Sequence, residues 1–243
     1  MKGVILAGGK ATRLRPLTQV TNKHLLPIYD KPLIYYPLEA MARAGVEDVL
    51  LTTNPEHAGH FLQLLGTGRE FGLQLTYELQ ENANGLADAV GLAERFARGS
   101  KVLVLLGDNI FTHDLRPRVQ AFEQVQRGAV IFATEVQEPE HYGVVELDGE
   151  RVVGIEEKPA RPRSNLAQTG IYLYDERVFD FISELRPSPR GELEITDLNN
   201  RYVAEGSLHC ETLDGYWIDA GTSHDELLAA NNEVARLRRE GAI

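Results

Sequence analysis

The sequence predicts an α/β fold: a mixed, mainly parallel sheet with helices on both faces and a small antiparallel β-ribbon insertion. Three observations predict it. Apolar, β-branched runs alternate with helical patterns through the first half, the order that builds a parallel sheet covered on both faces. A glycine pair follows the first of these runs directly, at the carboxyl end of a strand, where open α/β sheets collect their ligands. In the second half, short strand runs succeed one another across turn residues, as in an antiparallel ribbon.

Taken in order, the strand runs of the first half are residues 3–6, 46–53, 73–79, 102–106 and 129–136. Helical patterns lie between them at 32–44, 56–65, 86–97 and 114–126. In the last of these, Leu115, Val119, Phe122 and Val125 recur at helical spacing, and Pro117 falls in the first turn, where a missing N–H is tolerated. The second half supplies YGVVEL (142–147), RVVGIEEK (151–158) and QTGIYLYD (168–175). Asp148-Gly149 reads as the hairpin turn between the first two, and 159–165 as a loop. RGELEITD (190–197) precedes a helix to 205, a strand at 208–213, the motif YWIDAGT (216–222) and a closing helix to about 239. No linker, repeat or low-complexity stretch divides the chain, so residues 1–243 read as a single domain.

Composition narrows the function. A chain of 243 residues with 43% hydrophobic content can bury a substantial core, about 70 to 75% of the surface exposed when unfolded. The one cysteine, Cys210, forms no intramolecular disulfide, which fits a reducing cytoplasm. Met-Lys leads straight into a strand run without signal-peptide order, and no apolar run approaches the ~20 residues of a membrane span. A soluble, cytoplasmic protein with no membrane partner is expected. A net charge of −11 opposes nucleic-acid binding, which needs a broad basic footprint. If the ligand is a polyphosphate, the cationic residues must be focused in one cleft.

The stretch VILAGGKATRLRPLTQVTNK (4–23) offers such a focus. Glycines let backbone N–H groups approach an anion, Arg13 and Arg15 present guanidinium forks, and Lys23 supplies a compact charge. Gly-Gly after a strand also serves as a plain turn, and neither a Walker nor a dinucleotide fingerprint is complete here. Asp108 closes the apolar run VLVLLGDN (102–109), where it can hold a cation over a phosphate or act as a turn or N-cap residue. Ser223, His224 and Asp225 are consecutive, so their side chains diverge and make no triad. His57 and His60 lack a neighbouring carboxylate or thiolate and read as surface residues; Cys210 reads as a small buried hydrophobe. What remains is a combination: the glycine loop with Arg13, Lys23, two loop carboxylates at Asp108 and Asp219, and Glu157-Lys158 before a proline. Cationic side chains for phosphates and two carboxylates for a divalent metal suit polyphosphate chemistry with magnesium.

Gly8-Gly9-Lys10-Ala11-Thr12-Arg13-Leu14-Arg15-Pro16 resembles the GGxGTRLxP signature of the sugar-1-phosphate nucleotidylyltransferases, and the chain as a whole resembles the glucose-1-phosphate thymidylyltransferases among them. The resemblance extends through KHLLPIYDKPLIYYPLE (23–39), QENANGLADA (80–89), LGDN (106–109), YGVVE (142–146), EEKP (156–159), RGELEITD (190–197) and WIDAGT (217–222), all in family order. It implies a Rossmann-like sheet in which residues 1–136 mainly bind nucleotide and 137–243 mainly bind sugar phosphate. Leu6, Gly8, Gly9, Ala11, Thr12 and Arg13 then line the triphosphate site, with Lys23 on the phosphates and Gln80 and Gly85 on the pyrimidine. Asp108 and Asp219 are implied to hold catalytic Mg2+, and Gly143, Glu157, Lys158, Thr169 and Arg190 to hold the sugar phosphate. The implied catalytic cations are Arg13, Lys23 and Lys158, acting on dTTP and glucose 1-phosphate to give dTDP-glucose and pyrophosphate. A UTP-using glucose-1-phosphate uridylyltransferase and a non-catalytic sugar-nucleotide sensor of the same fold are the rivals. Relatives of this kind imply a homo-oligomer, dimer or tetramer.

The sequence departs from the family pattern at three places. Ala11 stands at a glycine position, so the loop either keeps φ negative there or accepts about 1 kcal/mol or more for a left-handed alanine. Asn22 replaces the proline usual before the lysine, and Asp88 stands where many relatives carry glutamine. A short form without the carboxyl-terminal regulatory helices is expected.

Overall fold

The computed structural model describes residues 1–9 and 11–241; Lys10, Ala242 and Ile243 lie outside the described residues. The chain runs through β1 (Lys2–Ala7), β2 (Pro27–Ile28), β3 (Lys31–Pro32), α1 (Tyr35–Ala44), β4 (Asp48–Thr53), α2 (Ala58–Leu65) and β5 (Gln74–Leu79). It continues through α3 (Leu86–Gly91), α4 (Glu94–Ala97), β6 (Val102–Leu106), β7 (Asn109–Phe111), α5 (Arg116–Glu123) and β8 (Ala129–Glu135). The remainder comprises β9 (Gly143–Asp148), β10 (Arg151–Glu157), β11 (Leu166–Tyr174), α6 (Val178–Ser183), α7 (Ile195–Ala204), β12 (Leu208–Thr212), β13 (Trp217–Asp219) and α8 (His224–Arg239). The fold class is the mixed α/β sheet expected from the alternation.

Two compact units interleave along the chain. One comprises Gly3–Ala83, Leu105–Pro117 and the residues from Asp214 on. In it β1, β4 and β5 are parallel and in step: Ala7 pairs with Thr53, and Thr53 with Leu79. Their carboxyl ends therefore form one row. Val4, Ile5, Val49, Leu50 and Leu51 are buried within these strands, so the wholly apolar runs mark sheet covered on both faces. Elsewhere in the unit β13 pairs with β7, and Ile28, Leu33, Tyr36, Ile110, Ala220, Ala230 and Val234 pack α8 against that ribbon.

The other unit comprises Met1–Lys2, Asn84–Val104 and Arg118–Leu213. Here β11 pairs antiparallel with β8 and β9, while β12 pairs parallel with β8. The β9–β10 hairpin turns at Gly149, which takes φ 61° in the two-residue loop between Asp148 and Arg151. Tyr172, Tyr174 and Tyr202 stack in series with centroids 5.9 and 5.7 Å apart, fixing α7 on β11.

Local differences from expectation have local causes. The helical pattern at 86–97 is two short helices, α3 and α4, separated just after Gly91, a poor helix residue. The helix expected after RGELEITD already begins at Ile195, inside the motif. The six-residue α6 is too short for its periodicity to register.

Asp175, fully buried at the end of β11, gathers five donor contacts: the N–H of Gly128 and of Arg177, the Tyr202 hydroxyl, and two from the Arg177 guanidinium. Asp175→Ala strands these donors, and urea unfolding should show a loss of about 3 kcal/mol or more, the scale for breaking a buried ion pair. A loss under about 1 kcal/mol would mean that the stacked tyrosines alone hold this corner.

Candidate active site

The row of strand ends delivers the first group of residues. β1 leads into Gly8 and Gly9, β4 into Asn54 and β5 into Gln80. A Cβ at Gly8 would lie 2.7 Å from Gln80 Oε1, so the glycine is what lets the glutamine side chain come in. The Leu6 carbonyl accepts from the Gly107 N–H at 2.9 Å and so ties β1 to the loop that carries Asp108. Ala11 adopts φ 44° and ψ 42°; of the two courses open to a non-glycine, the loop takes the left-handed one. Its carbonyl is held by Thr18 Oγ1 at 2.7 Å. Thr12 and Arg13 follow in a single 3-10 turn, both exposed.

Behind the loop lies a buried charge cluster. Lys23 Nζ donates to Asp108 Oδ2, and Asn109 Nδ2 donates to Asp108 Oδ1 at 3.2 Å. Trp217 Nε1 in turn donates to Asn109 Oδ1 at 2.7 Å, so the β13–β7 ribbon braces the carboxylate. Asp219 sits at the end of β13 between Ile218 and Ala220, which face the apolar cluster, and it accepts from the Gly221 N–H at 3.0 Å. A Cβ at Gly221 would fall 2.3 Å from Asp108 Oδ2 and 2.8 Å from Lys23 Nζ. Gly221 was not singled out by sequence reasoning, although it lies in WIDAGT; only the folded cluster shows why no side chain fits there.

Electrostatics follow from that burial. Burial alone would raise the Asp108 carboxyl, but the Lys23 ammonium beside it brings it down to about 2. Burial and the Asp108 charge push Asp219 up to about 6. Burial opposes the charge on Lys23, and Asp108 and then Asp219 outweigh it, so the ammonium is held above its usual range. His24 is lowered to about 3 by burial and then by Lys23, which keeps its ring neutral. Two carboxylates, Asp108 buried and Asp219 half-buried, stand beside one ammonium, and their hard oxygen donors suit a magnesium ion. Among the described residues no group of three or more His, Cys, Asp or Glu forms a metal cluster, so such an ion would take the remaining donors from a ligand or water.

Asn22 also finds its reason here. Buried before Lys23, it donates from Nδ2 to the Ala7 carbonyl at 3.2 Å, and its Oδ1 accepts the His24 N–H at 3.0 Å and lies 2.6 Å from His24 Nδ1. Its side chain thus ties the start of the Lys23 turn to the end of β1. A cavity of about 160 Å³ opens beside Gly9, Asn54 and Gln80, and one of about 250 Å³ beside Ala11, Arg15 and Thr18. Asn54 lines both with a buried Oδ1 that has no hydrogen-bond partner among the described residues. Nothing in the spacing of the sequence marked it.

The second unit assembles the remaining residues. Gly85 has φ 110°, and a Cβ there would meet the Leu193 carbonyl at 2.4 Å. Lys158 takes a left-handed φ of 46° at the end of β10, a strained setting for a lysine. Lys158 Nζ lies 3.7 Å and an Arg190 nitrogen 3.5 Å from Glu157 Oε1, while Thr196 donates to Glu157 Oε2 at 2.7 Å. Arg190 is also gripped by Glu194 at 2.7 Å. Gly143 makes room for Gln168, whose Nε2 would lie 2.2 Å from a Cβ at that glycine. Thr169 is buried with its hydroxyl donated to the Phe132 carbonyl at 2.8 Å, so it stands apart from the Glu157, Lys158 and Arg190 group in what it can offer a ligand.

The remaining motifs resolve into structure. Ser223 caps α8 by accepting from the Glu226 N–H at 3.1 Å. His57 and His60 stack on each other with centroids 5.7 Å apart. Cys210 is partly buried in β12, and burial pushes its thiol up to about 11, far from a nucleophile's range. No described helix is long and apolar enough to cross a membrane.

The Ala11 backbone generates a test. Glycine relieves a left-handed cost of about 1 to 2 kcal/mol and adds back about 0.4 to 1 kcal/mol of unfolded-chain entropy. Ala11→Gly should therefore raise unfolding stability by up to about 1.6 kcal/mol in a denaturant titration, whereas Ala11→Val should lower it. Destabilisation by glycine would show that the loop's left-handed turn is not under strain.

Comparison with known proteins agrees with this geometry. Residues 2–236 match the family model described as Nucleotidyl transferase. A glucose-1-phosphate thymidylyltransferase of Neisseria meningitidis serogroup A is 48% identical over 242 residues, covering 96% of this chain and 82% of the relative. A crystal structure of a Bacillus anthracis protein provisionally assigned as a glucose-1-phosphate thymidylyltransferase, in complex with a sucrose, aligns with a TM-score of 0.92 at 46% identity, over 96% of this chain and 94% of that one. A UDP-glucose pyrophosphorylase complexed with UDP-glucose aligns with a TM-score of 0.84 at 25% identity, over 97% and 98%. On these comparisons, this chain belongs to the nucleotidyl transferase family, among its glucose-1-phosphate thymidylyltransferases.

Proposed function

We propose that the chain transfers a thymidylyl group from dTTP to glucose 1-phosphate. A phosphate oxygen of the sugar attacks the α-phosphorus, the bond to the bridging oxygen breaks, and pyrophosphate leaves as dTDP-glucose forms. The observation that carries this reading is the buried Lys23–Asp108–Asp219 cluster beside the glycine loop. The nucleophile is already an anion, so the chemistry needs charge neutralisation and alignment rather than a general base.

Each residue then has a task. Backbone N–H groups of the Gly8–Gly9 loop and the Arg13 and Lys23 cations take the triphosphate, and Gln80 and the Gly85 backbone read the pyrimidine edge. Lys158 and Arg190 neutralise the sugar phosphate, while Glu157 accepts from the sugar hydroxyls. Magnesium held by Asp108 and Asp219, when bound, supplies positive charge to phosphate oxygens. Lys23 keeps Asp108 ionised for that purpose; burial and the Asp108 charge raise Asp219, and a bound cation would offset the second of these. Positioning of this kind supplies roughly 7 to 11 kcal/mol in well-aligned systems.

Pyrophosphate release over a grid of dTTP and UTP with several sugar 1-phosphates, with and without magnesium, tests the reading. Turnover with dTTP and glucose 1-phosphate that depends on magnesium is expected. Release with no pair would leave the sensor reading standing, and faster turnover with UTP would reassign the base. Gly221→Ala forces Asp108 and Lys23 apart, and kcat should fall about 100-fold, the scale of a misplacement near 1 Å, with the far-ultraviolet circular dichroism unchanged. Turnover within threefold of the parent would separate the cluster from the chemistry.

A further inference from the structure

Glu157 does not stand alone. Its Oε2 accepts from Thr196 at 2.7 Å, and Thr196 Oγ1 accepts from Gln168 Nε2 at 2.8 Å. Gln168 Oε1 accepts from Asn199 Nδ2 at 2.9 Å, and Asn199 Oδ1 accepts from the Tyr174 hydroxyl at 2.6 Å. Every group behind Glu157 is at least nine-tenths buried: Gln168 7%, Thr196 2%, Asn199 0% and Tyr174 0% exposed. A neutral amide so placed is costly unless its bonds are made, and here both ends of Gln168 are satisfied.

The chain has a direction. An ionised carboxylate can only accept, so Thr196 must turn its single proton toward Glu157 and accept in return. Gln168 is then obliged to donate with its nitrogen and accept with its oxygen, and Asn199 likewise. Bonds aligned in this way polarise one another toward the carboxylate. Gln168 also fills the space that Gly143 leaves by lacking a Cβ. It thereby touches two of the residues assigned to the sugar phosphate, one through Thr196 and one by close packing.

We propose that Gln168 is the positioning residue of the sugar-binding carboxylate: it anchors the Thr196 hydroxyl that fixes Glu157 and so sets how Glu157 meets the sugar. The inference rests on the reading of Glu157 given above. An apolar side chain in β11 would fill the same volume but leave Thr196 free to rotate and Asn199 without its acceptor.

The test uses the full chain. Gln168→Leu should raise the KM for glucose 1-phosphate about tenfold, the effect of one neutral hydrogen bond, with kcat and the dTTP KM within threefold. Gln168→Glu should be worse, near a hundredfold, because two carboxylates then contest the one Thr196 proton. In the double variant with Glu157→Gln, the leucine should add nothing to the sugar KM beyond the single Glu157→Gln change. Independent, multiplying effects, or equal rises in both KM values, would overturn the proposal in favour of plain packing. A readout that needs no turnover separates it from the function itself: Glu157→Gln should displace the Gln168 side-chain amide resonances in 15N-labelled protein. If those resonances stay in place the relay is refuted, whereas displaced resonances in a parent that releases no pyrophosphate would reject the function and leave the relay intact.

Discussion

One ammonium and two carboxylates share a buried space beside the glycine loop, and much of the surrounding structure is arranged to make that tolerable. Removing each charge from water costs several kcal/mol, and only close, well-directed pairing offsets it. Lys23 and Asp108 are therefore in direct contact, with Asn109 on the second Asp108 oxygen and Trp217 holding Asn109. No side chain fits at Gly221 because its place is taken by the pair itself, and a Cβ at Gly107 would meet the His24 ring at 2.7 Å. His24, kept neutral, packs beside the lysine without adding a second positive charge.

The sheet makes this cluster possible by register. Since β1, β4 and β5 end in one row, Gly8, Asn54 and Gln80 emerge together, and the Gly107 N–H bond to Leu6 sets the Asp108 loop against the same edge. Asp219 arrives from far along the chain, carried by β13 and pinned by the residues on either side of it packing under α8. Packing thus decides where the carboxylates stand, and the carboxylates decide what the loop can bind.

Much of this was legible in the sequence, and the remainder was not for a definable reason. Apolar runs report burial of each strand, which is a local property, so β1, β4, β6 and β8 were readable almost to the residue, and β5, which has no buried residue, by its place in the alternation. Lys23, Asp108 and Asp219 were grouped by sequence reasoning because a cation and two loop carboxylates suit a polyphosphate, and the fold brings the three together. Gly221 and Gln168 were not legible, because each matters through partners distant in sequence: Gly221 through Lys23 and Asp108, Gln168 through Gly143 and Thr196. The left-handed backbone at Ala11 was foreseeable only as one of two courses, since residue identity at a glycine position states the cost and not the choice.

The two units hold their carboxylates by different means, and the difference follows from what each carboxylate is asked to do. Asp108 is held by a full charge, which keeps it ionised in a buried setting. Glu157 is partly exposed, with Lys158 3.7 Å and Arg190 3.5 Å from its Oε1. The neutral relay through Thr196 and Gln168 supplies direction while adding no further charge beside Lys158 and Arg190. A second carboxylate at position 168 would contest the one Thr196 proton, whereas an amide, polar at both ends and neutral in sum, donates to Thr196 and accepts from Asn199.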